Sequence, residues 1–146
     1  MSGIPASPTN RAMLDANALF SVTGPNAATG ANGTLFDLAQ VNAFPINERF
    51  DLQVVIPAMP NNTSTAANSG VTLTLVDSAD SNTSNGVAIA GLATIVIAGV
   101  ASTGSVAVTK YVKLPGATRE FIGVQSSGGA NSGDNSAKTI TVNLTF

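Results

Sequence analysis

The chain contains no cysteine, no histidine and no tryptophan, and each absence removes a class of chemistry. Without cysteine there is no disulfide staple and no thiol nucleophile, and the redox compartment cannot be read from cysteine usage. Without histidine there is no Ser-His-Asp triad, no His-ligated metal and no side chain that ordinarily titrates near neutrality. Aromatic residues make up 5% of the chain, with a single tyrosine, Tyr111. Charge is scarce as well, at 10% of residues against roughly 25% in average soluble domains. The net charge of −2 carries no run of like sign. Nucleic-acid binding is disfavoured, because phosphate contacts require a basic patch. The long apolar stretch from Val87 to Val100 falls short of the ~20 residues that a membrane helix needs. At the N-terminus a charged segment followed by an apolar core is missing, so no secretory signal is expected.

What the chain does contain is 44% hydrophobic residues and a polar complement of Ser, Thr, Asn and Gly. These small side chains lose little rotamer entropy when ordered against a neighbour, which suits a protein packed against other proteins. At 146 residues the length fits one domain, burying about 70% of its unfolded surface.

Residues 1–12 hold Pro5 and Pro8 with no periodicity and read as an extended arm, with Ile4 its lone apolar anchor and Arg11 near its end. A single domain is expected over residues 13–146. Met13, Leu14 and Leu19 allow helical spacing, but the exit through Ser21, Val22 and Thr23 favours a strand around Ala18 to Val22. Gly24 to Gly33 is a loop, and Thr34 to Leu38 a short strand. Phe50, Leu52, Val54 and Ile56 alternate with Asp51 and Gln53, the period of two that marks a strand with one buried face. Val71, Leu73 and Leu75 alternate in the same way with Thr72 and Thr74.

Polar loops are expected over Ala58 to Gly70, Asp77 to Gly86 and Ser126 to Lys138. In Val87 to Val100, Gly91, Gly99 and the β-branched content fit one or two buried strands with a bend. The segment Val106 to Gln125 carries half of the chain's Lys and Arg residues, and Pro115-Gly116 predicts a type II turn joining two strands of a hairpin. The clearest alternation is the last, with Ile140, Val142, Leu144 and Phe146 inward. A chain that ends there predicts that this strand is paired inside a sheet. Seven or eight strands, long polar loops and no helix give an all-β chain, a two-sheet β-sandwich or jelly roll with an extended N-terminal arm.

No catalytic constellation stands out. The eight carboxylates are scattered, and no two are favoured as a glycosidase pair. Asp77 to Asn82 offers oxygen ligands at short spacing but lacks the glycine and terminal glutamate of an EF-hand loop. Serines without histidine leave only a Ser-Lys arrangement, to which nothing in the sequence points. A non-enzymatic role without cofactor or metal is the expectation.

Taken in order, Met13-Leu-Asp15, Leu19-Phe-Ser-Val22, Leu35-Phe-Asp-Leu38, Asp51 to Ile56, Val71 to Leu75 and Tyr111 to Ile122 form a consistent set. In these motifs the chain resembles the capsid cement (decoration) proteins of tailed bacteriophages, in particular the family typified by a Bordetella podophage. The similarity spans nearly the whole chain, with the extra proline-containing arm and the long Ser126 to Lys138 loop as departures.

The resemblance implies a jelly roll on the outer surface of an icosahedral virion capsid, bound to the major capsid protein and to itself as a homo-oligomer. Dimer and trimer both fit. Arg and Tyr are enriched at interface cores, so Tyr111, Lys113 and Arg119 are expected near an interface, with Ile4, Pro5 and Arg11 contributing from the arm. For Arg119 the alternative is an ion pair on the protein's own surface, with a carboxylate such as Glu120 or Asp51. Two other functions compete: a receptor- or carbohydrate-binding sandwich from a phage appendage, and a sandwich hydrolase. The first has few aromatics on which to stack a sugar, and the second has no nucleophile and base.

Overall fold

The computed structural model describes residues 14–26, 29–38, 51–59, 70–99, 103–129 and 133–145. The expected arm at residues 1–12, with Ile4, Pro5 and Arg11, lies outside them, as do the loop tip at 61–65 and Phe146. Among the described residues ten strands follow in chain order: β1 (Leu14–Thr23), β2 (Ala31–Asn32), β3 (Phe36–Asp37), β4 (Asp51–Ile56) and β5 (Val71–Ser78), then β6 (Val87–Ala88), β7 (Ile95–Ile97), β8 (Val108–Lys113), β9 (Phe121–Gly128) and β10 (Thr139–Thr145). A 3-10 turn occupies Thr83–Asn85. Among the described residues no helix is long and apolar enough to cross a membrane.

The strands form two antiparallel sheets, one in the order β1-β10-β4-β8 and the other β2-β9-β5-β6, with β3 joining β9 and β7 joining β5. β2 with β3, and β6 with β7, each act as one interrupted strand. Counted so, the chain changes sheet at every connection except that from β5 to β6. The inward positions read from the alternation are fully buried: Leu52, Val54 and Ile56 on β4, and Ile140, Val142 and Leu144 on β10. Val71, Leu73 and Leu75 of β5 and Ile122 and Val124 of β9 meet them in one hydrophobic cluster between the sheets. Fully burying a side chain of this size contributes about 1.5–3 kcal/mol. Phe20 of β1 and Phe36 of β3 stack across the layers at 6.1 Å between centroids, and Ser126 Oγ of β9 donates to the Thr23 carbonyl of β1 at 2.8 Å.

Three expectations need correction. The segment Val106 to Gln125 is not a hairpin: β8 pairs with β4 and β9 with β5, in different sheets. Its turn begins one residue later than a type II turn at Pro115-Gly116 requires, with Thr118 N donating to the Pro115 carbonyl at 3.1 Å. Gly116 is not one of the glycines at positive φ. The physical reason is Leu114, 1% exposed, which anchors the chain in the core as it leaves β8 and directs it across the sandwich. Second, the apolar stretch after Val87 forms two short strands that both pair with β5. They are only partly buried, since Val87 is 57% and Val96 64% exposed. Third, the loop expected up to Gly33 contains β2, which borders β9.

Candidate functional site

The outer face of the β1-β10-β4-β8 sheet is built from the positions that alternate with the core. Cross-strand register sets them in level rows. One row runs Ser21, Thr141, Val55, Thr109; the next runs Asn143, Gln53, Tyr111; the third runs Thr145, Asp51, Lys113. In the middle row Asn143 Nδ2 donates to Gln53 Oε1 at 3.0 Å, and Gln53 Nε2 donates to Tyr111 Oη at 2.9 Å. The amide of Gln53 is thereby fixed between two strands and holds the phenol in place. Tyr111 is 66% exposed, a large amphipathic side chain already oriented and free on its outer side.

Lys113 shares that outer face, at the end of β8 opposite Asp51. Lys110, on the same strand, occupies the core-facing side level with Val54 yet is exposed. Among the described strands β8 is an edge of this sheet, and an inward-pointing charge on an edge discourages indiscriminate strand pairing. Among the described side chains the face is otherwise made of hydroxyls, amides and a valine.

Arg119 is not part of this surface. It follows the crossover and binds Asp77 at the end of β5 in the other sheet. Its Nε and Nη2 donate to Asp77 Oδ1 at 2.8 and 2.6 Å, its backbone N donates to Oδ2 at 3.0 Å, and Nη2 also reaches the Asp77 carbonyl at 2.9 Å. The expected surface ion pair is therefore present, with Asp77 as the carboxylate instead of Glu120 or Asp51. Asp77 is 6% exposed, and a buried carboxylate needs such a partner. Beside the pair lies a pocket of about 280 Å³ lined mainly by Val87, Ile89, Pro115 and Ala117.

The acidic loop singled out for its oxygen spacing is held by nitrogen and hydroxyl donors. Asp80 accepts from the Asn82 backbone N at 2.9 Å, from Asn85 Nδ2 at 2.9 Å and from Ser78 Oγ at 3.3 Å. These bonds, the Asn82 backbone first, hold its carboxyl below the usual aspartate value. The side chain and backbone of Ser136 do the same for Asp134.

The sequence-predicted residues thus divide. Tyr111 and Lys113 stand together, Arg119 stands apart, and Ile4, Pro5 and Arg11 fall outside the described residues. Sequence reasoning missed Gln53 and Asn143. Alternation places both outward, but only the register of β10 between β1 and β4, strands distant in sequence, brings them to Tyr111. Comparison with models of known protein families and with curated proteins finds no match to this chain.

Proposed function

We propose that this protein is a non-catalytic structural component of a phage virion, a cement protein that binds the outside of an icosahedral capsid and bridges major capsid protein subunits. The observation that carries the reading is the outer face of the four-stranded sheet. It carries few charges, and it presents Tyr111, held in place by the Asn143–Gln53–Tyr111 hydrogen bonds. Tyrosine supplies a rigid contact at small conformational cost, and short hydroxyl and amide side chains lose little entropy on docking. A face of this kind makes modest contacts, and many copies on one shell multiply them.

The strand order supports the finer reading of the fold as a jelly roll. With β2 and β3 counted together, and β6 and β7 likewise, eight strands run β1-β10-β4-β8 against β2/β3-β9-β5-β6/β7. That interleaving of first and last strands is the order expected of a double Greek key, an architecture used by viral capsid domains and also by lectins and cupins. Because fold alone does not fix function, the argument rests on the surface.

The test is co-sedimentation with purified shells. The expected result is saturable binding at a fixed stoichiometry to the major capsid protein. Absence of binding to any shell, together with selective binding on a glycan array, would replace this reading with the carbohydrate-binding one.

A further inference from the structure

Asparagine is followed by glycine at Asn32-Gly33 and at Asn85-Gly86. Such a pair carries a reaction of its own. The glycine nitrogen can attack the asparagine Cγ, because no Cβ stands in the way and the glycine backbone turns freely. What decides the outcome is how firmly the fold holds each pair.

Asn32 is in β2, in register with Gln125 of β9, and Gly33 N donates to the Val124 carbonyl at 2.9 Å. Gly33 is buried, with the Ser21 and Val124 carbonyls close beside it. Bringing its nitrogen onto Asn32 Cγ would mean parting the strands. Asn85 instead ends the 3-10 turn, which buries none of its residues, and Asn85 itself is exposed. Its backbone N donates to the Asn82 carbonyl at 2.9 Å. Its Nδ2 donates to Asp80 Oδ2 at 2.9 Å and to Oδ1 at 3.3 Å. Ring closure needs Asn85 Cγ to swing onto Gly86 N, and the bonds to Asp80 oppose that swing.

The turn also covers part of the second sheet. Val76 alternates with Leu75 and Asp77, so it lies on the outer face of β5, yet it is buried. The backbone of Gly86 rests on it, since a Cβ there would lie 2.9 Å from Val76 Cγ2.

We propose that Asn85-Gly86 is a site of spontaneous deamidation restrained by Asp80, and that conversion releases the turn from the outer face of β5. Gly86 N gives its proton to solvent base and bonds to Asn85 Cγ. The bond from Cγ to Nδ2 breaks, and ammonia leaves. Water then opens the cyclic imide at either carbonyl, giving aspartate or isoaspartate. Both products replace a donor to Asp80 with a second carboxylate, and like charges at that range repel. Isoaspartate also lengthens the backbone where it rests on Val76. This chemistry goes beyond the capsid reading and does not rest on it, since it needs only the protein and water.

The test is incubation of the purified protein in mildly alkaline buffer, read by peptide mass spectrometry and isoaspartyl methyltransferase labelling. Residue 85 should convert about tenfold or more faster than residue 32, the factor that one further broken hydrogen bond imposes on a rate. Asp80→Ala should speed conversion at residue 85 several-fold and leave residue 32 unchanged. Asn85→Asp, which supplies the carboxylate without the longer backbone, should melt a few degrees below the unmodified protein. Conversion at residue 32 as fast as at 85, or none at 85, would overturn the proposal. So would an Asp80→Ala rate at or below that of the unmodified protein, or an Asn85→Asp variant that melts with it.

Discussion

Arg119 shows how one side chain joins distant parts of this chain. All its hydrogen bonds described above go to Asp77, tying the crossover after β8 to the end of β5. The carboxylate is nearly buried while the guanidinium is 42% exposed, so loss of the arginine leaves a buried charge without its partner. Arg119→Ala is expected to lower unfolding free energy by about 1.5–3 kcal/mol, measured by urea titration, while shell binding by the folded fraction is unchanged. Asp80 is the exposed counterpart. Its carboxyl is held below the ordinary value of 3.8 by hydrogen bonds, first that from the Asn82 backbone. A depressed folded-state value stabilises the protein above the unfolded value, and that contribution is lost as pH falls through the folded one. The melting temperature of the unmodified protein should therefore exceed that of Asp80→Asn at neutral pH. The gap should shrink only as pH drops below 3.8, and a gap that persists unchanged into strong acid would refute the assignment.

At the scale of the elements, Gly33 sits where backbone from both sheets converges. Gly33 N donates to the Val124 carbonyl at 2.9 Å. A Cβ there would lie 2.5 Å from the Ser21 carbonyl oxygen and 2.8 Å from that of Val124. Both are backbone atoms in paired strands and have little freedom to retreat. Gly33→Ala should cost about 1–3 kcal/mol, seen as a lower denaturation midpoint at unchanged slope. Strands β4, β5 and β10 were legible in the sequence because each has one buried face, and Leu52, Leu73 and Val142 alternate with polar neighbours. The crossover was not legible: Pro115-Gly116 has the local chemistry of a hairpin turn, and only the tertiary anchorage of Leu114 sends β9 to the other sheet. The Asn143–Gln53–Tyr111 row escaped for a related reason. Alternation along a strand tells which side chains share a face, but register between strands far apart in sequence is set by the topology.

For the whole molecule, the sparing use of charge means that, in the proposed capsid role, association would depend on shape, hydroxyls, amides and the exposed Tyr111. The sequence reading of residues 1–12 is an extended arm, with Ile4, Pro5 and Arg11, held by a neighbouring subunit or capsid protein, and under the proposed role deletion of residues 2–10 is expected to reduce shell occupancy with little change in melting temperature. Tyr111→Ala is the sharper probe. The phenol accepts one hydrogen bond, from Gln53, and is 66% exposed, so its removal costs the isolated fold little, within about 1 kcal/mol. At an interface the same truncation removes an oriented aromatic contact and releases Gln53 from its place in the row, and aromatic anchors near an interface centre are worth 2 kcal/mol or more. Occupancy of purified shells, titrated at fixed ionic strength, should therefore shift by about 30-fold in concentration, while the melting temperature moves by no more than a few degrees. Tyr111→Phe, which keeps the ring and loses the acceptor, should retain most of the binding. A Tyr111→Ala protein that decorates shells as well as the unmodified one would remove this face from the contact and leave the β1-β10-β4-β8 surface turned to solvent.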